Sequence, residues 1–210
     1  MKQLLLATNN PGKVEEMKAL LVHPQLELLT PHDLGIELQV KESGSTYAEN
    51  ATLKALAFMR ASGLLTLADD SGLEVDLLDG LPGLHSHRFA PMPAASDADR
   101  RHYLLERMAG KPRPWLARFR ATVAIAEPLG QVRVVEGGCR GEIIPDERGR
   151  NGFGYDPIFL FTRLGRTMAE LTLEEKNRIS HRANAVRNAQ PILVDLLGIR
   201  PFKKIREIEV

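Results

Sequence analysis

The order of apolar and polar positions divides the first third of the chain into short blocks of alternating type. An apolar run over 3–7 predicts a buried strand, and Asn9-Asn10-Pro11-Gly12 stops it with a turn signal. Val14, Met17, Leu20 and Leu21 then recur at helical spacing, which predicts a helix over 12–21. Thr46 and Glu49 have the spacing of a capping box, so a second helix starts there and runs to about Ser62, with Gly63 closing it. A short apolar strand over 64–68 follows.

Further along, 97–108 reads as helix. The stretch 116–125 alternates, with Ala117, Phe119, Ala121, Val123 and Ile125 on one face and Arg118 and Arg120 on the other. Pro128-Leu129-Gly130 turns that strand into 132–136, an antiparallel pair. An apolar strand over 158–161 comes next, then a capping box at Thr172 and Glu175. The last helix starts near Ser180 and contains Pro191, which should kink or break it. Early helix–strand alternation with a later hairpin predicts an α/β protein with a mixed sheet.

Composition narrows the class. The 210 residues form one large domain or two closely joined lobes, long enough to bury roughly 70% of the unfolded surface. Hydrophobic residues at 43% and charged residues at 26% exclude a disordered or collagen-like chain. With 28 Lys+Arg against 27 Asp+Glu, the net charge of +1 provides no basic field, and aromatic content is only 5%. A nucleic-acid partner is therefore not expected, and phosphate would be bound in a local pocket. The single Cys139 excludes an internal disulfide and fits a reducing compartment. No apolar run reaches the ~18 residues of a membrane span, and the apolar start is too short for a signal peptide. The expected location is cytoplasmic.

Five constellations carry candidate chemistry. In Thr8-Asn9-Asn10-Pro11-Gly12-Lys13, Asn10 can cap a helix whose free N–H groups and first-turn lysine suit a phosphate. The segment is not a Walker A loop, and an ordinary strand–turn–helix corner also explains it. Asp69-Asp70-Ser71-Gly72 follows the strand over 64–68, at the end where open α/β sheets bind ligands. Its carboxylates suit Mg²⁺, although neighbouring strand residues point to opposite faces, so one Asp would be the ligand. A plain Asp/Ser/Gly turn is the alternative. Glu42 is a candidate second carboxylate or a solvated loop residue, and Asn50 and Lys54 share a helix face that can point at the same pocket.

The fourth constellation is Gly152-Phe153-Gly154-Tyr155-Asp156-Pro157, where glycines allow close approach to a flat ligand and an aromatic ring can stack on it. Asp156 can accept from ring N–H groups; a tight turn before a strand is the alternative. In the fifth, Lys176, Ser180, His181 and Arg182 supply donors that can read carbonyl oxygens, or simply make a charged helix face. His85 and His87 lack a third partner and make a weak metal motif.

Taken in order, these blocks resemble the Ham1-type inosine triphosphate pyrophosphatases. The resemblance rests on Ala7 to Lys13, Ala68 to Leu73, Gly152 to Pro157 and Ile179 to Arg182. Glu49-Asn50-Ala51, Pro82-Gly83, Ala117-Arg118-Phe119 and Ala169-Glu170-Leu171 extend it. It implies a single domain over 1–210, an elongated mixed sheet flanked by helices with an active-site cleft between two lobes, and a homodimer. It also implies Mg²⁺-dependent hydrolysis of ITP, dITP, XTP and dXTP to the monophosphate and pyrophosphate. By resemblance, Thr8, Asn9, Asn10, Pro11, Gly12 and Lys13 cradle the triphosphate, Ser71 touches the substrate, and Asp70 is the catalytic carboxylate, holding Mg²⁺ with Glu42. Phe153, Gly154, Tyr155 and Asp156 line the base pocket with Lys176, His181 and Arg182. Arg150-Asn151, His87, Pro191 and Asn9 depart from the family pattern. A non-catalytic nucleotide-sensing module on the same scaffold is the alternative, which the retained carboxylates argue against.

Overall fold

The computed structural model describes residues 1–203. Its strands are β1 (Lys2–Leu6), β2 (Leu26–Leu29), β3 (Thr66–Val75), β4 (Trp115–Ala126), β5 (Val132–Ile143), β6 (Phe159–Phe161) and β7 (Arg166–Thr167). Its helices are α1 (Pro11–Leu20), α2 (Tyr47–Ser62), α3 (Asp97–Met108), α4 (Leu173–Ile179) and α5 (His181–Leu197). The strands form one seven-stranded sheet in the order β2-β1-β3-β4-β5-β6-β7. β1 pairs in parallel with β2 and β3, whereas β6 is antiparallel to β5 and β7. The mixed α/β sheet expected from the sequence is present.

By internal contacts the chain divides into two compact units. The first comprises Met1–Asp70, Ala121–Gly137 and the described residues from 181 onward; the second comprises Ser71–Arg120 and Gly138–Ser180. In the first unit the sheet is buried on both faces. Leu4 and Leu6 of β1, Leu67 of β3 and Ala121, Val123 and Ile125 of β4 join Met17 of α1 and Val186 of α5 in one core. Leu5, Ala68 and Ala124, one residue out of phase, join Ala51, Ala55 and Phe58 of α2 in another. Two buried faces explain why β1 reads as a continuous apolar run. The second unit is built around Leu73, Leu104, Trp115, Phe119, Phe159 and Phe161. The Phe119 and Phe161 ring centroids lie 4.8 and 5.4 Å from that of Phe159.

The structure corrects several expectations. β2 is a strand that the apolar pattern does not predict. β3 does not stop at residue 68 but carries Asp69, Asp70, Ser71 and Gly72 within the strand. β5 continues to Ile143 through glycines that look like a break. Gly137 is there because α5 crosses it: a Cβ would lie 2.1 Å from the Ala185 nitrogen and 2.6 Å from the His181 carbonyl oxygen. α5 runs unbroken past Pro191, since Ala189, Leu193 and Leu197 hold it in the core on both sides of the missing N–H. Thr46 caps α2 as expected, but the Glu49 carboxylate accepts from the N–H and hydroxyl of Ser45.

Candidate active site

The β1–α1 corner forms as its sequence suggests. Asn10 caps α1 by accepting the Lys13 N–H at 3.1 Å, Pro11 takes the first turn, and the Thr8 hydroxyl accepts the Asn10 N–H at 3.2 Å. Asn9 and Pro11 are exposed. The Lys13 ammonium lies 3.1 Å from Asp69. Asp69 sits on the face of β3 shared with Leu67, under α1 and α5; Asp70 sits on the face shared with Ala68, under α2. The alternation therefore hands each carboxylate to a different set of helices.

On its face, Asp69 meets Lys13 and accepts from Arg182 Nε at 3.1 Å, while the other arm of Arg182 pairs with Glu16 of α1. On the opposite face, Asp70 accepts from Asn50 Nδ2 at 3.2 Å and lies 3.3 Å from Lys54 Nζ, which also reaches Glu42 at 2.7 Å. Asn50 Oδ1 accepts the Gly44 N–H at 2.8 Å and so ties the Glu42 loop to α2. Asn50 and Lys54 do converge, as their spacing predicts.

Burial and charge push these groups in different directions. Burial would raise the Asp69 carboxyl, but Lys13, Arg182 and Lys54 overcome it and hold the group far below the usual carboxylate range. Burial dominates at Asp70 and, with help from Glu42, lifts its carboxyl above the ordinary value against the pull of Lys54 and Lys13. The Lys13 ammonium is lowered by burial, and Lys54 and Arg182 add to that against Asp69. Burial opposes the charge on Lys54, yet Asp70, Asp69 and Glu42 keep its value raised.

The second unit gathers another cluster. Asp156 accepts the Phe153 N–H at 2.9 Å and pairs with Lys176, whose ammonium lies 5.0 Å from the centre of the Phe153 ring. Gly152 is obligatory beneath this pair, since its φ is +73° and a Cβ would stand 2.0 Å from Asp156 Oδ2. Tyr155 is turned into the core of this unit and donates its hydroxyl to the Ser86 carbonyl at 2.8 Å. Burial raises that hydroxyl well above its usual pKa. The Gly154 N–H donates to Asp97 at 2.7 Å, and Arg101 donates to the Gly154 carbonyl at 2.9 Å.

The Ham1 family model matches residues 4–192. The chain belongs to the Ham1 family. A dITP/XTP pyrophosphatase of Thermus thermophilus is 47% identical over 188 residues, 88% of each chain. One of Desulforamulus reducens is 45% identical over 192 residues, covering 91% of this chain and 95% of the relative. The Ham1 protein of Staphylococcus aureus superposes with a TM-score of 0.82 at 37% identity, covering 93% of this chain and all of that one. A HAM1 protein from Coxiella burnetii gives 0.83 at the same identity and coverage.

Within this Ham1 chain the structure adds neighbours that the sequence pattern does not supply. Arg182, expected at the base, lies between Glu16 and Asp69 and is only 1% exposed. Tyr155 gives its side chain to the core. His181 opens α5 and is buried, and Ser71 is half-buried on β3. Glu16, Asp97 and Arg101 are absent from the candidates that the sequence supplies. Glu16 follows Lys13 by three positions, one helical turn, and that spacing was its available signal. Asp97 and Arg101 had none, because their partner lies over fifty positions away.

Glu42 and Asp70 are the pair that could hold a divalent cation. The Lys54 ammonium already bridges their oxygens, so a positive charge fits between them. Two carboxylates suit a hard ion that completes its shell with water and substrate oxygens. Among the described residues, no group of three His, Cys, Asp or Glu gathers to make an all-protein cage, and His85 and His87 are not joined by a third ligand.

Proposed function

We propose that this chain hydrolyses nucleoside triphosphates of deaminated purines, ITP, dITP, XTP and dXTP, to the monophosphate and pyrophosphate. The observation that carries the reading is the meeting of Glu42 and Asp70 on one cationic point. The shared name of the curated relatives supports the substrate class. The helix start from Thr8 to Lys13 takes the triphosphate, whose negative charge matches the positive end of α1 and the lysine. Arg182 and Glu16 act from behind by fixing Asp69, which in turn holds Lys13. Asp70 orients the attacking water at the α-phosphorus. Glu42 and Asp70 would hold Mg²⁺, which would supply charge neutralisation for the departing pyrophosphate.

The base end rests on Phe153, with Asp156 to face a ring N–H and the Lys176 ammonium to offer its donors to O6. Adenine would place an amino group against those donors and leave them unsatisfied. The single Cys139 is buried, which fits the proposed cytoplasmic location, and the described residues contain no helix long and apolar enough to cross a membrane. The assembly is proposed to be a homodimer, which light scattering tests as twice the chain's 23.3 kDa.

A substrate panel with Mg²⁺ tests the reaction: dITP, XTP, dGTP, dATP and dUTP, with all phosphate products resolved. Monophosphate and pyrophosphate from dITP and XTP, with little from dGTP and dATP, is the expected result. Diphosphate and orthophosphate would overturn it, and tight dITP binding without turnover would favour a sensing module.

A further inference from the structure

The loop that carries Phe153 is held from two sides, and only one of these belongs to the base-reading groups described above. On the inner side Asp156 takes the Phe153 N–H and Lys176 lies over the ring. On the outer side stands the first turn of α3. Asp97 Oδ2 accepts the Gly154 N–H at 2.7 Å, and Arg101 Nη1 donates to the Gly154 carbonyl at 2.9 Å. Both polar groups of the residue directly after Phe153 are thus bound by charged side chains one helical turn apart.

Each of these two side chains is itself fixed. Arg101 spends its Nε and second amino group on both oxygens of Glu147, at 2.8 and 2.9 Å, a bidentate pair that leaves one N–H aimed at the loop. Asp97 pairs through its other oxygen with Arg100, whose guanidinium also donates to the carbonyls of His87 and Ala95. Ser86, beside His87 in the 3-10 turn Gly83–Arg88, accepts from the Tyr155 hydroxyl. The hydrogen bonds close a ring from Gly154 through Asp97 and Arg100 to the 3-10 turn and back through Tyr155. Such a closed circuit fixes a backbone position more tightly than any single bond in it.

We infer that Asp97 and Arg101 are positioning residues for base recognition: they set the two peptides on either side of the Gly154 Cα, and through them the ring on which the base rests. The inference rests on the proposed function of the same site. Each residue reaches the loop through the Gly154 backbone, so each acts on base binding and leaves handling of the triphosphate alone. A backbone held at both N–H and C=O cannot drift to accept a different base edge, which couples α3 to discrimination as well as to affinity.

The test compares D97A, R101A, R101K and D99A in steady-state hydrolysis of dITP, dGTP and ribose 5-triphosphate, which has no base. Asp99 is the control, because it completes the α3 capping box with Ser96 without reaching the loop. For D97A and R101A the KM for dITP is expected to rise about ten-fold, the loss of one hydrogen bond to a charged group, with kcat within about three-fold. Their preference for dITP over dGTP should fall, and kcat/KM for ribose 5-triphosphate should stay at the parental value. R101K should recover part of the KM, since one ammonium can serve Gly154 or Glu147 but not both fully. D99A should lower the melting temperature without changing the preference. An equal KM rise for ribose 5-triphosphate, or unchanged KM and preference in D97A and R101A, would overturn the inference. A parental protein that releases no pyrophosphate from dITP would sink the proposed function instead.

Discussion

The two clusters use charge in opposite ways. Around β3 in the first unit, Glu16, Glu42, Asp69 and Asp70 face Lys13, Lys54 and Arg182, and the ion pairs run from side chain to side chain. Around Gly154 in the second unit, Asp97, Arg101 and Asp156 grip backbone N–H and C=O groups. Four carboxylates against three cations leave the first cluster with negative charge in excess, which favours a further cation. Where charges hold main chain, they determine shape and have little freedom to exchange partners. On the proposed function, the first arrangement suits release of a charged product and the second suits recognition of a flat base.

The largest effect is expected from changing the first cluster without disturbing its shape. Asp70→Asn keeps the side chain's size but removes the charge, and its one amide oxygen can accept from only one of Asn50 and Lys54. It should lower kcat for dITP by about 1000-fold, within the range for a group acting on a proton in flight. A melting curve close to the parental one should accompany it; near-parental kcat would remove Asp70 from its role. Arg182→Met comes next. It leaves Glu16 and Asp69 facing each other in a buried site, which should destabilise the fold by about 3 kcal/mol in urea unfolding. Stability equal to the parent would mean that water replaces the guanidinium there.

Lys13→Ala should be smaller again, raising KM for dITP about ten-fold, as expected for one charged contact to phosphate. An unchanged kcat/KM would show that α1 does not bind the triphosphate. The smallest effect concerns the capping box of α4. Arg166, and with it the Thr172 N–H, pulls the Glu175 carboxyl down to about 2. A depressed carboxyl adds stability that is fully present above its unfolded value and is lost as the pH falls through its folded one. Glu175→Gln should therefore flatten the decline of melting temperature between roughly pH 4.5 and 2 and change little at neutral pH. An identical acid limb in both proteins would contradict that account.

What the sequence disclosed was mostly what sits within one turn of the chain. Asn10 with Lys13, Thr172 with Glu175, and Asn50 with Lys54 all act over three or four positions, and each was legible. The alternation over 116–125 was visible because one face is buried along its whole length. Asp69-Asp70-Ser71-Gly72 looked like a turn because two adjacent acids and a glycine favour one locally. Lys13, Arg182 and Lys54 reverse that preference from helices distant in sequence. The same non-locality hid Glu16, whose partner Arg182 is 166 positions away, and the pairing of Arg182 with Asp69. The family resemblance supplied what spacing alone could not, since ordered motifs along a chain carry tertiary information implicitly.

The twin carboxylates of β3 also act as a check on how the strand seats itself in the sheet. β1 fixes Thr66 opposite Leu5 and Leu67 opposite Leu6. A slip of one residue would turn every side chain to the other face. At most positions of β3 the penalty would be apolar surface in the wrong layer, which soft side chains can partly absorb. At the acid pair it is categorical: in one direction Arg182 and Lys13 would face Ala68, and in the other Lys54 would face Ser71. Either outcome takes a carboxylate away from a buried cation, so the residues proposed to handle substrate also weigh against misaligned chains during folding.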